Sequence, residues 1–237
     1  MPRVALVTGA DRGLGLALTK ALLEAGWIVI AGRHLAWPEL DELCENFSGS
    51  LHLVELDVSS DESVSKAAGQ ALERVSQINL LISNAAIHKS HHVEGISEDL
   101  DFDSMLQEVN VNAIGALRIA NAFLPLLEKS ELKRMCFVSS EAGSIGASQR
   151  TGWFGYCMSK AALNMAVKNL SNDLSAQGYS FRLYHPGWMR TYMSGQKNLE
   201  AHMEPEEAAA IALNYFLDDA VYKELKLHCW DGEALPW

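Results

Sequence analysis

What this chain lacks already narrows its function. Its 237 residues hold four cysteines, Cys44, Cys136, Cys157 and Cys229, scattered with no C-x-x-C spacing. That pattern supplies neither a disulfide framework nor a thiolate metal site, and it reads as reduced thiols in a cytosolic protein. There is no excess of basic charge either: nineteen Lys and Arg stand against thirty Asp and Glu, a net charge of -11. Such a chain offers no clustered cations to a phosphate backbone, so no nucleic-acid partner is expected. No apolar run approaches the roughly 20 residues that a membrane helix requires, and no membrane partner is expected. The first strand-like run begins by residue 3, leaving no room for a signal or transit peptide and pointing to the cytoplasm. No Pro- or Gly-rich linker, charge block or repeat interrupts residues 1–237, which are expected to form one domain. His88, His91 and His92 cluster in a loop without a matching carboxylate-and-histidine pattern on one helical face, so no metal is expected.

What is present is a regular alternation. Apolar runs near 3–8, 27–32, 51–56, 78–83, 134–139, 180–185 and 225–229 read as buried strands. Helical patterns fill about 13–25, 60–76, 101–128, 153–177 and 204–218, with a shorter one near 37–46. Ser59 and Glu62 form a capping-box pattern, and Pro205 suits the first turn of the last long helix. Strands separated by helices predict an α/β fold, a doubly wound Rossmann-type parallel sheet of about seven strands with helices on both faces. In that architecture ligands bind at the carboxyl ends of the strands.

Two clusters sit at such ends. Val4-Ala5-Leu6-Val7-Thr8 runs into the turn Gly9, Asp11, Arg12, Gly13, Leu14 and Gly15, and then into a helix. Glycines let a backbone approach closely, and a helix N-terminus presents unpaired N–H groups to a phosphate. Farther on, Tyr156 and Lys160 lie four residues apart on one expected helical face, so both can enter one pocket. A phenol titrates near 10 unless a neighbouring cation favours the phenolate, and Lys160 is placed to do that.

Thr8-Gly9-x-x-x-Gly13-x-Gly15 with Tyr156-x-x-x-Lys160 resembles the short-chain dehydrogenase/reductase family. Further matches follow in order: Leu56-Asp57-Val58, Ser83-Asn84-Ala85-Ala86, Val111-Asn112-Ala113-Ile114-Gly115, Val138-Ser139-Ser140 and Pro186-Gly187-Trp188-Met189-Arg190-Thr191. The likeness runs from residue 3 to the C-terminus. Gly143-Ser144-Ile145-Gly146, Gly152-Trp153-Phe154-Gly155-Tyr156 and the closing Asp231–Trp237 resemble the carbonyl-reductase-like branch with C-factor-type and sniffer-type proteins. Ala86 departs from the family's usual glycine, and the gap between serine and tyrosine is longer than usual.

The resemblance implies a carbonyl reductase whose small-molecule substrate receives a proton from Tyr156. Lys160 would lower the phenol's pKa and bind the nicotinamide ribose. Ser140 would orient the carbonyl, and Asn112 would hold a relay water through its backbone. Strand register favours Ser140 over Ser139, and the family's spacing to Gly115 favours Asn112 over Asn110. Asp57 and Val58 would meet the adenine, and Asn84, Ala85 and Ala86 the ribose. Pro186, Gly187, Met189 and Thr191 would meet the nicotinamide.

Charge selects the cofactor. NAD enzymes place a carboxylate after the second strand, whereas a 2′-phosphate wants arginine. Here the chain reads Ile30-Ala31-Gly32-Arg33-His34, with no carboxylate until Glu39. Arg33 with Arg12 therefore predicts NADP (NADPH). Trp153, Phe154, Trp188, Met189, Tyr192 and Met193 bracket the site and favour an apolar or aromatic carbonyl. An alcohol dehydrogenase working mainly in the oxidative direction and a non-catalytic NADP-sensing protein on the same fold are the rival readings. Relatives in the family often pair through the two long helices, here 101–128 and 153–177, and the stripe Ala161, Ala162, Met165, Ala166, Asn169 and Leu170 suits a homodimer.

Overall fold

The computed structural model describes residues 2–89, 94–193, 195–220 and 224–237. Strands and helices alternate as β1 (Val4–Thr8), α1 (Gly13–Glu24), β2 (Ile28–Arg33), α2 (Pro38–Asn46), β3 (Leu51–Glu55), α3 (Asp61–Arg74) and β4 (Leu80–Ser83). They continue as α4 (Phe102–Val109), α5 (Gly115–Leu127), β5 (Arg134–Val138), α6 (Phe154–Leu174), β6 (Ser180–His185), α7 (Pro205–Phe216), β7 (Leu227–Cys229) and β8 (Ala234–Leu235). The sheet order is β3-β2-β1-β4-β5-β6-β7-β8. The first seven strands are parallel, and β8 folds back antiparallel on β7, a two-residue strand too short for periodicity to signal.

The alternation of apolar runs with helical stripes explains this arrangement. Parallel strands are covered on both faces and so are apolar throughout, as Val4–Thr8, Leu80–Ser83 and Arg134–Val138 are buried at every position. On one face α3, α5 and α6 pack Val64, Ala67, Ile119, Phe123, Leu163 and Val167 onto the sheet. On the other, α1, α2 and α7 pack Leu18, Leu22, Leu40, Leu43, Ala212 and Phe216. The chain leaves β1 towards β2 and β3, then returns past β1 to β4, so the strand order reverses at β1 and β4. Thr8 stitches that point, its Oγ1 accepting from the backbone N–H groups of Asn84 and Ala85 at 3.0 and 3.1 Å. The crevice opens there.

Three local expectations are corrected. The N-cap of α3 is Ser60, whose Oγ accepts from Ser63 N at 3.2 Å, while Ser59 instead donates to Asp57. The expected helix 101–128 is divided by a π-helical turn over Asn110–Ile114. The segment Phe102–Leu127 is long and apolar enough by length and composition to cross a membrane. Its inner residues Met105, Ala116, Ile119 and Phe123 nevertheless pack into the protein core.

Candidate active site

The glycine turn after β1 is a cradle that side chains would fill. Gly9 has φ +62°, and a Cβ there would lie 2.9 Å from Ala85 Cα. A Cβ on Gly15 would collide with the Gly9 carbonyl at 2.0 Å, so Gly15 serves the turn's packing rather than lining the crevice. The turn delivers the N-terminus of α1 to an open crevice of about 1000 Å³. Such a cradle at a helix start fits a dinucleotide's phosphates.

Gly9, Asp11, Arg12, Gly13, Leu14, Asp57, Val58, Asn84, Ala85, Ala86, Pro186, Gly187, Met189 and Thr191 all line this crevice, with Ser140, Tyr156 and Lys160. Asp57 is anchored by Ser59, whose N–H and hydroxyl donate to Oδ1 at 2.9 and 2.6 Å. Burial pushes that carboxyl up, but the Ser59 bonds, with His34 and Arg118 nearby, bring it below its ordinary value. The carboxylate is held ionised.

Arg33 requires a correction. It does not line the crevice, and its guanidinium is bound at 2.7 Å to both Glu55 and Asp41. Parallel pairing sets Arg33 directly beside Glu55, and the first turns of α2 bring Asp41 to the other side. The charged and titratable side chains that line the crevice just beyond β1, β2 and β3 are Asp11, Arg12, His34 and Asp57. Arg12 lies 5.3 Å from the Trp37 ring centroid, a cation–π contact that holds its guanidinium at the rim.

At the other end α6 carries Tyr156 and Lys160 on one face, as the four-residue spacing requires. Both are buried. Lys160 Nζ donates to the Val138 carbonyl at 3.0 Å and lies 5.7 Å from the Tyr156 ring centroid. Burial lowers the Lys160 ammonium to about 8. The expectation that this cation lowers the phenol is reversed: burial pushes Tyr156 up, opposed by a hydrogen bond with Ser140 and reinforced by Glu141, Cys157 and Glu108. The phenol stays protonated in this crevice.

The two serines separate cleanly. Ser139 Oγ donates to Asn164 Oδ1 at 2.6 Å, and Asn164 Nδ2 donates to the Gly143 carbonyl at 3.0 Å. Ser140 is thus the hydroxyl that faces Tyr156. Asn112 lies outside the lining, within the π-helical turn. Its amide bridges Ile87 N and O at 2.8 and 2.9 Å and donates to Ser159 Oγ at 2.9 Å, fastening the β4 loop to α6. Asn110, not Asn112, lines the crevice, and its side-chain oxygen accepts from Arg118 at 2.9 Å.

Sequence reasoning placed Trp153 beside the site and His88 in a loop at its rim, but overlooked Glu141, Arg150 and His185. His88 stacks on Tyr156 at 4.3 Å between centroids, and Trp153 meets His88 edge-on at 4.6 Å. Trp153 adopts φ +57°, a left-handed conformation unusual for a tryptophan, at the N-cap of α6. Glu141 and Arg150 form an ion pair beside it. His185 lines the crevice with a buried Nδ1 that has no hydrogen-bond partner among the described residues, and burial holds its imidazole below the ordinary value. The closing segment supports the loop after β5: Ser144 Oγ donates to the Pro236 carbonyl at 2.5 Å and Gly146 N to that of Trp237 at 2.7 Å. His91 and His92 lie outside the described residues. Among the described residues no group of three or more His, Cys, Asp or Glu could hold a metal ion.

A model of the short chain dehydrogenase family matches residues 3–202. The chain belongs to this family of oxidoreductases. It is 32% identical over 233 residues, 98% of both chains, to a 1-hydroxy-2-glutathionyl-2-methyl-3-butene dehydrogenase from Rhodococcus sp. (strain AD45). The carbonyl reductase Sniffer of D. melanogaster superposes with a TM-score of 0.88 at 26% identity, covering 100% of both chains. An NADPH-bound carbonyl reductase from chicken fatty liver superposes with a TM-score of 0.86 at 29% identity, covering 100% of this chain and 99% of the other. The carbonyl-reductase-like branch named by the sequence motifs is where these neighbours fall.

Proposed function

We propose that the protein is an NADPH-dependent carbonyl reductase acting on a ketone or aldehyde, with Tyr156 as general acid. The observation that carries this reading is the buried Tyr156 with Lys160 Nζ 5.7 Å from its ring centroid, both lining the crevice together with Ser140. When bound, the reduced nicotinamide supplies the hydride. Ser140 and Tyr156 hold the carbonyl oxygen, and Tyr156 delivers its hydroxyl proton there as the alcohol forms. Lys160, its ammonium lowered by burial to about 8, restores that proton. Asn112 serves the relay from the π-helical turn, where the wider backbone turn disrupts the regular ladder of hydrogen bonds. Gly9, Gly13 and Leu14 hold the phosphates, Asp57 and Val58 the adenine, and Pro186, Gly187, Met189 and Thr191 the nicotinamide. Arg12 reads the 2′-phosphate; the choice of NADPH as cofactor is supported by the NADPH-bound chicken neighbour.

Reduction needs Tyr156 to arrive as an acid, and oxidation needs it to arrive as a base. The Rhodococcus relative is a dehydrogenase, so oxidation of an alcohol is the second reading. A panel of carbonyls and alcohols with NADPH, NADH and their oxidised forms, followed at the nicotinamide absorbance band, tests both. The reading requires carbonyl reduction with NADPH to be the fastest combination.

A homodimer is proposed as well. Phe102, Leu106, Ile114, Leu117, Met158 and Met165 are exposed on α4, the π-helical turn, α5 and α6. Ala162, Met165 and Asn169 of the stripe face solvent rather than the sheet, as a helix-to-helix interface between copies requires.

A further inference from the structure

Glu141 follows Ser140 and opens a short 3-10 turn over Glu141–Gly143. Two opposed contacts fix its carboxylate. Oε2 accepts from Ser140 Oγ at 3.3 Å, and Oε1 accepts from Arg150. Arg150 is itself held, with its guanidinium 4.2 Å from the centroid of the Trp153 ring. Ser140, Glu141, Arg150, Trp153 and Tyr156 all line the same end of the crevice. The arginine holds the carboxylate in place, so one oxygen is presented beside the hydroxyl that would hold the reacting carbonyl.

An anionic acceptor one hydrogen bond away from the reaction centre discriminates among substrates. An alkyl group placed against it would strip water from the carboxylate and return no donor. A carboxylate on the same carbon would meet a like charge. A hydroxyl or ammonium would replace at Oε2 the proton that Ser140 turns towards the reacting carbonyl. We propose that Glu141 is a specificity-determining residue that selects carbonyl compounds bearing a hydrogen-bond donor, a hydroxyl or an ammonium, on the carbon next to the carbonyl. The inference rests on the carbonyl reductase reading. The reaction itself is unchanged: hydride reaches the carbonyl carbon, the Tyr156 proton reaches its oxygen, and the neighbouring group is neither oxidised nor reduced.

The test compares acetophenone, 2-methoxyacetophenone and 2-hydroxyacetophenone as substrates of the full chain with NADPH. The methoxy compound matches the hydroxy compound in inductive activation and lacks its donor. The expected kcat/KM ratio of hydroxy to methoxy is about tenfold or more, and Glu141→Gln should reduce that ratio by about tenfold, since a site built around a polar contact rejects the analogue without it. Glu141→Asp, which keeps the charge but withdraws it by one methylene, should give an intermediate ratio, with NADPH binding by fluorescence checking that each variant is folded. A parent ratio near one overturns the inference whatever the variants do, as does a ratio that survives Glu141→Gln. If no carbonyl in a broad panel is reduced, the reductase reading fails and takes the inference with it. If the panel succeeds while the ratio is flat, the inference alone fails.

Discussion

Ser139 Oγ donates to Asn164 Oδ1 at 2.6 Å, deep in the protein, and that single bond assigns different work to two adjacent serines. Ser139→Ala leaves Asn164 with a buried unpaired oxygen and should cost about 1–3 kcal/mol of stability. Ser140→Ala removes the hydroxyl that meets Tyr156 and should cut kcat by roughly 100-fold, at the cost of the cap that its Oγ gives Ala142 N at 3.2 Å, about 0.5–2 kcal/mol. Urea unfolding and steady-state kinetics on both variants check the division. A Ser139→Ala variant that loses activity as deeply as Ser140→Ala would reverse it.

Tyr156→Phe should abolish turnover while leaving NADPH affinity nearly intact, because the ring still packs against His88 and the proton is gone. A rate within a few-fold of the parent removes Tyr156 from its role. Lys160→Ala should damage both turnover and cofactor binding, measurable by kinetics and by titration of nicotinamide fluorescence.

Lys160 also makes a prediction about pH. Its ammonium titrates at about 8 in the fold and at 10.5 in an unfolded chain. Between those values the unfolded state binds more protons, so stability rises with pH through this window. Below about 8 the buried charge is a full penalty, of order 3 kcal/mol. Urea unfolding of the cofactor-free protein should therefore show the parent gaining on Lys160→Met from pH 8 to pH 10. A difference that stays constant with pH would falsify this account.

Cofactor preference should follow Arg12 rather than Arg33. Arg12→Ala removes a charge-assisted contact of about 2 kcal/mol and should lower the NADPH-to-NADH affinity ratio by roughly 30-fold. Arg33→Ala breaks ion pairs with Glu55 and Asp41 and should leave that ratio within a few-fold of the parent. Titration of both cofactors by fluorescence quenching decides it. If the ratio instead collapses on Arg33→Ala, the guanidinium swings into the crevice when cofactor binds.

Assembly has a direct measure. Light scattering at micromolar concentration should give twice the 26.0 kDa chain mass. Leu106→Glu with Met165→Lys, both exposed in the isolated chain, should halve it without loss of secondary structure. A parent already at the chain mass overturns the pairing.

By itself the sequence determined whatever depends on near neighbours. A period of apolar residues sets which runs are buried strands and which are amphipathic helices. A four-residue gap puts Tyr156 and Lys160 on one face, and a glycine turn between strand and helix opens a cradle, because both are local geometries. Tertiary structure decided everything that depends on which partner arrives from afar. Arg33 looked free for a phosphate because Glu55 is 22 positions away, and only the parallel register of β2 with β3 sets the two side by side. Ser139 and Ser140 are distinguished by Asn164, 25 positions on from Ser139, and the helix expected over 101–128 is divided where Asn112 reaches Ile87 and Ser159. Burial, not spacing, sets the protonation of Tyr156: removing the phenol from water favours the neutral form more strongly than the Ser140 contact favours the phenolate.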